Sequence, residues 1–353
     1  MSIKLIKQKN MNYIDTIENR TKEYFEILEP QFPLWLNEYI NTKELLKQQY
    51  ISVTCGTIYS QLFENKFFYS SLDHSIAVAL IVWHFTHDKK QTLAGLFHDI
   101  ATPAFKHCID FLNGDYIKQE STEDLTSKII ENSVEIMELL KRDKIKLEEV
   151  DNYHIYPIAD NDTPKLSADR LEYSLSNALL AYGTIDDIEV IKKIYNDLEI
   201  GKDEEQIDEL SFKTEKIAEE FVEITSKLSI MYREDKTRYS MQLIADIIKK
   251  MNEDGIITKK DLYELQEKEV IDIIKKSKYK KVFEQWQNAK KIKISRQEPR
   301  DVYFVHHGAK VRYINPLVSG KRISEVSEVA KNLIEENLKY KMDNYVFLDF
   351  DII

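Results

Sequence analysis

The chain has 353 residues and a formal net charge of −11, with charges of both signs spread along its length. Eight glycines and seven prolines are few for a chain of this size, which favours helices over strands. An acidic chain is a poor general binder of the nucleic-acid backbone, so we expect no such role.

The two cysteines, Cys55 and Cys108, have neither the spacing of a metal site nor that of a disulfide framework. We therefore expect a reducing compartment and a cytoplasmic protein. The N-terminal segment lacks the apolar core of a signal peptide. The longest apolar run, at residues 76–85, is too short to span a bilayer, so no membrane association is expected.

Apolar periodicity predicts helices along most of the chain, beginning with residues 15–28 and 33–48. HSIAVALIVWHF and TLAGLFHD are apolar on every side, which is typical of buried helices. PAFKHCIDFL predicts a third helix, since proline favours a first turn. After a helix at 123–142 and a loop at 152–166, LSADRLEYSLSNALLAYG predicts a further helix that ends at Gly183.

Long charged amphipathic helices are predicted at about 186–198, 212–252 and 258–290. The character changes near residue 291, where KIKI, VYFVHH, KVRYINPLV and YVFLDFDI favour strands around one helix at 324–340. We predict a mainly α protein with a small C-terminal α/β appendage. The predicted parts are N-terminal helices (1–49), a core (50–185), a helical extension packed on the core (186–290) and the appendage (291–353).

Four polar residues of the core lie in or beside the apolar helices: His74, His98, Asp99 and Asp169. Each alone is more simply a cap, a satisfied core residue or a polar helix end. Together they form a pattern of H, then HD after 24 residues, then D after 70 more. Two imidazoles and two carboxylates suit a divalent Mn, Fe, Ni or Mg ion, whereas a closed structural zinc site usually contains thiolates.

This pattern resembles that of the HD superfamily of metal-dependent phosphohydrolases. SLDHSIAVA, HDIATPAFKHCID and SADRLEYSL are similar to motifs of its dNTP triphosphohydrolase branch, which includes bacterial dGTPase and the vertebrate SAM-and-HD-domain dNTPase. The resemblance covers about residues 50–185 and implies an HD-domain helical bundle there. It implies one divalent ion per chain, held by His74, His98, Asp99 and Asp169.

The same resemblance implies that His107 is the catalytic histidine and Asp110 its acidic partner. Because these two residues stand three apart, a helix would place them on one face. Arg170 and Tyr173 match positions that contact phosphate in the branch. For each residue, a surface charge or an ordinary helix residue is the alternative reading.

The sequence departs from the branch at four places. Ser71 stands where the branch has arginine, Thr102 follows Ala101 where it has His or Asn, Thr122 replaces a histidine, and Asn177 replaces an acidic residue near the sugar. We expect other cations to compensate in binding phosphate. The available cations are Lys106, Arg170, Lys310 and Arg312. Together with Tyr173 and Asn177, which match substrate-contacting positions of the branch, they are the candidate substrate-binding residues.

The resemblance implies hydrolysis of a nucleotide phosphoester, with a deoxynucleoside triphosphate cleaved to the deoxynucleoside and triphosphate. One alternative is an HD phosphatase or phosphodiesterase that acts on a nucleoside monophosphate or cyclic nucleotide. Another is a catalytically silent sensor that binds nucleotide. A nucleotide is the expected partner in each case, and the branch also suggests a homo-oligomer.

Overall fold

The computed structural model describes residues 12–64, 67–117 and 125–348 of the chain. The molecule is mainly α-helical and has a small α/β part, which confirms the predicted fold class. Among the residues that the structure describes, no helix combines the length and the apolar composition that a membrane span needs.

The helices that precede the first strand include those that carry the predicted site. In chain order they are α1 (Tyr13–Thr16), α2 (Asn19–Leu28), α3 (Leu36–Ile40), α4 (Lys43–Lys47), α5 (Ser71–Thr86), α6 (Lys89–Phe97), α7 (Cys108–Leu112), α8 (Thr126–Asn132), α9 (Val134–Asp143), α10 (Ala168–Ser176) and α11 (Ile188–Asn196).

The second half of the chain alternates long helices with short strands. In chain order these are β1 (Leu198–Lys202), β2 (Asp208–Phe212), α12 (Glu215–Arg233), α13 (Asp235–Glu253), α14 (Lys259–Glu264), α15 (Glu267–Lys276), α16 (Lys280–Asn288), β3 (Lys293–Ser295), β4 (Phe304–Val305), β5 (Leu317–Val318), β6 (Lys321–Arg322), α17 (Ile323–Val326), α18 (Glu328–Lys339) and β7 (Tyr345–Phe347).

The strands form two small sheets. One has the order β1-β2-β5-β6, in which β5 runs parallel to β2 and the other pairs are antiparallel. The other is the antiparallel sheet β3-β7-β4. The first sheet therefore joins two strands from residues 198–212, a region for which no strand was predicted, to strands of the C-terminal part.

Two apolar cores support the fold. The larger surrounds α5, whose residues from Leu72 to Val82 are almost all fully buried, with α2, α6 and α10 against it. The second surrounds α13 and includes Phe105, Phe283 and Trp286. Helix α5 is apolar on all sides because neighbouring helices cover every side, as its sequence predicts.

Several predicted helices are shorter than their apolar patterns suggest. The segment 103–112 is helical only in α7, because Phe105 and Lys106 adopt positive φ angles of 67° and 44°, which a right-handed helix cannot contain. The prediction that the helix begins at Pro103 is therefore wrong.

Two other predicted elements also differ from the structure or cannot be compared with it in full. Residues 310–312, predicted as a strand, lie in the connection between β4 and β5. The predicted helix at 123–142 starts within residues 118–124, which lie outside the described residues.

Candidate metal centre and active site

Three helix ends bring the predicted metal ligands together. Helix α5 begins with a capping box in which Ser70 and Asp73 satisfy each other's backbone, and His74 lies in the first turn. His98 and Asp99 directly follow α6, and Asp169 is in the first turn of α10, which is capped by Ser167. The polar residues therefore lie where buried helices start or stop.

The four side chains face one another closely. The Nε2 atoms of His74 and His98 are 3.1 Å apart, and Asp99 Oδ2 lies 3.8 Å from each. Every pair of candidate ligand atoms in this group of three lies within 4.8 Å. Asp169 Oδ1 lies 3.3 Å from Nε2 of His74 and 3.7 Å from Nε2 of His98.

Hydrogen bonds at the outer nitrogens orient both imidazoles. Nδ1 of His98 donates to the carbonyl oxygen of Gly95 at 2.7 Å. Nδ1 of His74 contacts the carboxylate of Glu172, a residue that is fully buried. With Nδ1 engaged in each ring, Nε2 is the nitrogen left to bind a metal, and in both rings it faces the two carboxylates.

The donor set fits a divalent ion. Ligand atoms about 2.0–2.3 Å from an ion lie at most about 4.6 Å apart, and the five distances above are all shorter. Two imidazole nitrogens with carboxylate oxygens suit the borderline or hard ions that the sequence indicates. His74, His98 and Asp99 could therefore hold one ion together, and Asp169 lies close enough to both imidazoles to be the candidate fourth ligand.

Charge interactions within the cluster outweigh the effect of burial on its pKa values. Burial alone would raise the pKa of Asp99, but Lys106 and the two histidines hold that pKa well below its usual value. Burial would likewise raise the pKa of Asp169, yet the hydrogen bond with His74 lowers it. Both carboxylates are thus kept ionised, which is the form that binds a metal.

His107 and Asp110 form a second polar pair beside the cluster. His107 Nδ1 lies 2.9 Å from Asp110 Oδ2, and the side chain of Asp110 is fully buried while that of His107 is 37% exposed. His107 precedes α7 as its N-cap, and Asp110 is in the first turn. Although the predicted helix does not extend to His107, the contact that the spacing predicted is formed.

Lys106 is a cation in direct contact with one of the candidate metal ligands. Its Nζ lies 2.6 Å from Asp99 Oδ2 and 3.2 Å from Ser71 Oγ. The residue is only 9% exposed. Burial opposes the ammonium form, but the attraction of Asp99 outweighs that effect and raises the pKa of Lys106. A buried positive charge therefore stands beside Ser71, where the resembling branch has arginine.

A cavity of about 520 Å³ connects the metal cluster to the other predicted residues. This volume lies within the ~300–1,000 Å³ that is usual for small-molecule sites. Its lining contains every predicted ligand and substrate-binding residue, together with His107; Asp110 lies behind His107. The predicted residues in the lining are His74, His98, Asp99, Lys106, His107, Asp169, Arg170, Tyr173, Asn177, Lys310 and Arg312.

Other parts of the cavity lining carry polar groups suited to a larger ligand. Nδ2 of Asn177 donates to the hydroxyl of Tyr232 at 2.7 Å, whereas its buried Oδ1 accepts no hydrogen bond from any residue that the structure describes. The guanidinium of Arg312 lies 5.8 Å from the centre of the Tyr232 ring. Arg170 is 3.1 Å from Asp160 and also donates to Asn161, so an ion pair anchors it at the cavity wall.

Sequence reasoning missed two groups at this site. Glu172 lies three residues after Asp169, and the spacing alone could have placed both carboxylates on one face of α10, but not the contact with His74. His154 lines the cavity, with Nδ1 2.8 Å from Asp160 Oδ2, and comes from the predicted loop. Thr122, the predicted departure from a histidine, lies outside the described residues.

Comparisons with known proteins place the fold. No protein-family model matches the chain. The uncharacterized protein YdhJ of Bacillus subtilis (strain 168) is 28% identical over 127 residues, which make up 36% of this chain and 38% of YdhJ. The chain thus spans well under half the length of that curated relative.

Two solved structures resemble this chain over most of its length. A hypothetical protein from Aquifex aeolicus has a TM-score of 0.58 at 16% identity, covering 88% of this chain and 91% of its own. A phosphohydrolase from Bacteroides thetaiotaomicron VPI-5482 has a TM-score of 0.55 at 13% identity, covering 91% and 94%. At such identities the likeness shows the fold alone, and this chain has a fold like that of a phosphohydrolase.

Proposed function

We propose that this protein is an HD-superfamily phosphohydrolase of the dNTP triphosphohydrolase branch, which cleaves a deoxynucleoside triphosphate to the deoxynucleoside and triphosphate. One observation carries the proposal: the His74, His98, Asp99 and Asp169 cluster opens into the same cavity as His107, whose Nδ1 is paired with Asp110. The phosphohydrolase fold of the Bacteroides protein supports it.

In this proposal His74, His98, Asp99 and Asp169 hold the divalent ion. A bound ion of this kind supplies Lewis acidity toward a phosphoryl group and lowers the pKa of a water. The protein's part is to keep the carboxylates ionised and the two rings oriented. Lys106 contacts the Asp99 carboxylate, and Gly95 and Glu172 engage Nδ1 of His98 and His74.

His107 is proposed to protonate the ester oxygen that leaves. A general acid must reach that oxygen and keep a proton-bearing nitrogen directed at it. Asp110 is suited to orient the ring, because it accepts a hydrogen bond from Nδ1 and leaves Nε2 for the substrate.

Cations around the cavity are proposed to bind the phosphates. Lys106 has the most favourable position, because it already lies against a candidate metal ligand. Arg170, Lys310 and Arg312 line the same cavity. Charge-assisted hydrogen bonds are about twice as strong as neutral ones, so these residues can supply the phosphate binding that Ser71 and Thr102 do not provide.

The second candidate function is hydrolysis of a smaller phosphoester. Ser71 and Thr102 carry no charge, and the main-chain oxygen of Thr102 accepts a hydrogen bond from Lys47 at 3.0 Å, so these two residues contribute little to binding a triphosphate. An HD phosphatase or phosphodiesterase for a nucleoside monophosphate or cyclic nucleotide would need fewer cations.

The test is a panel of dNTPs, NTPs, nucleoside monophosphates and cyclic nucleotides with Mn²⁺, Fe²⁺, Ni²⁺ or Mg²⁺. Triphosphate, pyrophosphate and orthophosphate are quantified separately. We expect triphosphate from dNTPs, and no product from Asp99→Ala, which lacks a metal ligand. His84→Ala is the matched control, because His84 also pairs with a carboxylate, that of Glu29, but is not among the cavity lining.

Each outcome selects one function. Turnover of monophosphates or cyclic nucleotides without any turnover of dNTPs would establish the smaller-ester activity instead. A nucleotide that raises the melting temperature but is never hydrolysed would establish a sensor. The cytoplasmic location, the nucleotide partner and the homo-oligomer stay predictions, to be measured with the same preparation.

A further inference from the structure

The segment that joins Asp99 to His107 has an unusual backbone. It leaves α6 and reaches α7 without forming a regular helix, and Phe105 and Lys106 in succession have positive φ angles of 67° and 44°. Side chains with a Cβ rarely adopt this region, and such strain persists only where surrounding groups impose it. The two residues directly precede His107, so the strained turn sets where Lys106 and His107 point.

Residues of α14 and α15 accept hydrogen bonds from the N–H groups of this turn. The N–H of Ala104 donates to the carbonyl oxygen of Leu262 at 2.8 Å. The N–H of Phe105 donates to Glu267 Oε1 at 3.2 Å, and the hydroxyl of Tyr59 donates to Glu267 Oε2 at 2.8 Å. Glu267 is the first residue of α15 and is fully buried.

Two side chains near α4 donate hydrogen bonds to carbonyl oxygens of the same segment. Nε2 of Gln48 donates to the carbonyl oxygen of Ile100 at 2.7 Å, and Nζ of Lys47 donates to that of Thr102 at 3.0 Å. Buried backbone groups need such partners, and here side chains supply what a helix would have supplied. The turn is therefore bonded to α4 on one side and to α15 on the other.

Packing leaves the Phe105 ring little freedom. The ring is fully buried and meets Tyr59 edge-on, with 6.4 Å between the ring centroids. A Cβ added at Gly56 would lie 2.8 Å from the Phe105 ring, so the backbone beneath the ring approaches it as closely as a glycine permits. The side chain fixes Phe105 from one direction, and the bond to Glu267 fixes its amide from another.

We propose that Glu267 is a positioning residue that holds the Phe105 amide, and so keeps Lys106 and His107 directed into the cavity. The inference rests on the proposed function for its catalytic meaning. Glu267 is not among the residues that line the cavity, and it acts only through the turn. The helical extension then contributes to catalysis without touching the substrate.

The test compares Glu267→Ala with Glu267→Gln. Glutamine keeps an oxygen for the Phe105 N–H, and its amino group can donate to the Tyr59 oxygen. In Glu267→Ala we expect kcat to fall by about 10- to 100-fold, the scale that small misplacements of catalytic groups produce. We also expect KM to rise, because the turn carries Lys106, which is proposed to bind phosphate, while metal content stays near wild type. Glu267→Gln should retain most of kcat. Asp272→Ala, at an exposed acidic position further along α15, is the matched control and should behave as wild type.

Hydrogen–deuterium exchange of the segment 103–112 gives a readout that needs no activity. We expect faster exchange at the Phe105 amide in Glu267→Ala, and wild-type protection in Glu267→Gln and Asp272→Ala. If Glu267→Ala does not fold, Glu267→Asp replaces it, because its shorter carboxylate cannot reach the amide in the same way.

The outcomes separate this inference from the proposed function. Wild-type exchange at Phe105, or wild-type kcat, in a folded Glu267→Ala protein overturns the positioning role. Equal loss of kcat and of bound metal also overturns it, because it would indicate damage to the whole site. Exchange as expected in an enzyme that hydrolyses no phosphoester refutes the proposed function, while the hold of Glu267 on the turn stands.

Discussion

At the residue scale, three of the four histidines that line the cavity have proposed roles, and they share one arrangement: each has Nδ1 engaged, which leaves Nε2 for chemistry. His98 uses a main-chain oxygen, His74 uses Glu172, and His107 uses Asp110. His74 and His98 turn Nε2 toward each other and toward carboxylates, whereas His107 is the more exposed ring. The same residue type can therefore serve as a ligand at two positions and as a proton donor at the third.

Replacing His107 separates chemistry from metal binding. We expect His107→Ala to lower kcat by about 10²–10⁴-fold, the usual range for a lost general acid, with metal content and fold unchanged. Asp110→Asn should lower kcat less, because the imidazole remains and only its orientation and charge support weaken. Steady-state kinetics with elemental analysis of each variant provide the measurement.

Wild-type turnover in His107→Ala would show that another group protonates the leaving oxygen. His154 is the next residue to replace in that case, since it lines the cavity and has its own carboxylate partner.

At the scale of elements, the buried helices could be predicted because a helix that is apolar on every side must be covered on every side. Helix α5 is the example. The cluster of candidate ligands could be predicted because each of them stands out as a polar residue at the end of such a helix; their role as ligands stays a prediction. The turn at 103–107 could not, since its backbone depends on Glu267 and Leu262, which are more than 150 residues away. Its local sequence, with Pro103 before an apolar run, favours a helix.

Glu172 links three elements and could not have been found from local pattern. From α10 it contacts His74 on α5, and it accepts hydrogen bonds from Tyr69 at 2.7 Å and from Tyr24 on α2 at 3.4 Å. Burial and the neighbouring carboxylate raise the pKa of both tyrosines, so both stay protonated as donors. A carboxylate so held can fix the ring of a metal-binding histidine.

Glu172→Gln should weaken metal binding by about 10- to 100-fold, as loss of such an outer partner typically does. The measurement is calorimetric titration of the metal-free protein with Mn²⁺. Glu29→Gln is the matched control, because Glu29 pairs with Nδ1 of His84 at 3.2 Å, and His84 is not among the candidate ligands. Tyr69→Phe should have a smaller effect than Glu172→Gln. Equal affinities in wild type and Glu172→Gln would show that His74 needs no such partner.

At the scale of the whole molecule, the cavity is built from parts that are far apart in the chain. One wall comes from the ends of α5, α6 and α10, and another from the segment 309–313 between β4 and β5. Sequence reasoning chose Lys310 and Arg312 as compensating cations but placed them in a strand. Their approach to the site follows from tertiary structure, in which β5 pairs with β2 across about 100 residues, and no local pattern contains that information.

Lys310 and Arg312 provide the test of this wall. If they bind the phosphates that Ser71 cannot grip, Lys310→Ala and Arg312→Ala should each raise KM more than they lower kcat. A charge-assisted hydrogen bond contributes about 1.5–3 kcal/mol, which corresponds to roughly 10- to 100-fold in KM. Arg312→Lys should recover part of the loss, because charge remains while the flat group over Tyr232 does not. Lys293→Ala, in β3 and not among the cavity lining, is the control for a general loss of positive charge.

The increase in KM caused by Lys310→Ala or Arg312→Ala should shrink as the phosphate chain is shortened from triphosphate to monophosphate, since fewer anionic oxygens then reach these cations. An equal KM change for all chain lengths would instead place Lys310 and Arg312 at the base or sugar, and the triphosphate would have to be bound by Lys106 and Arg170 alone.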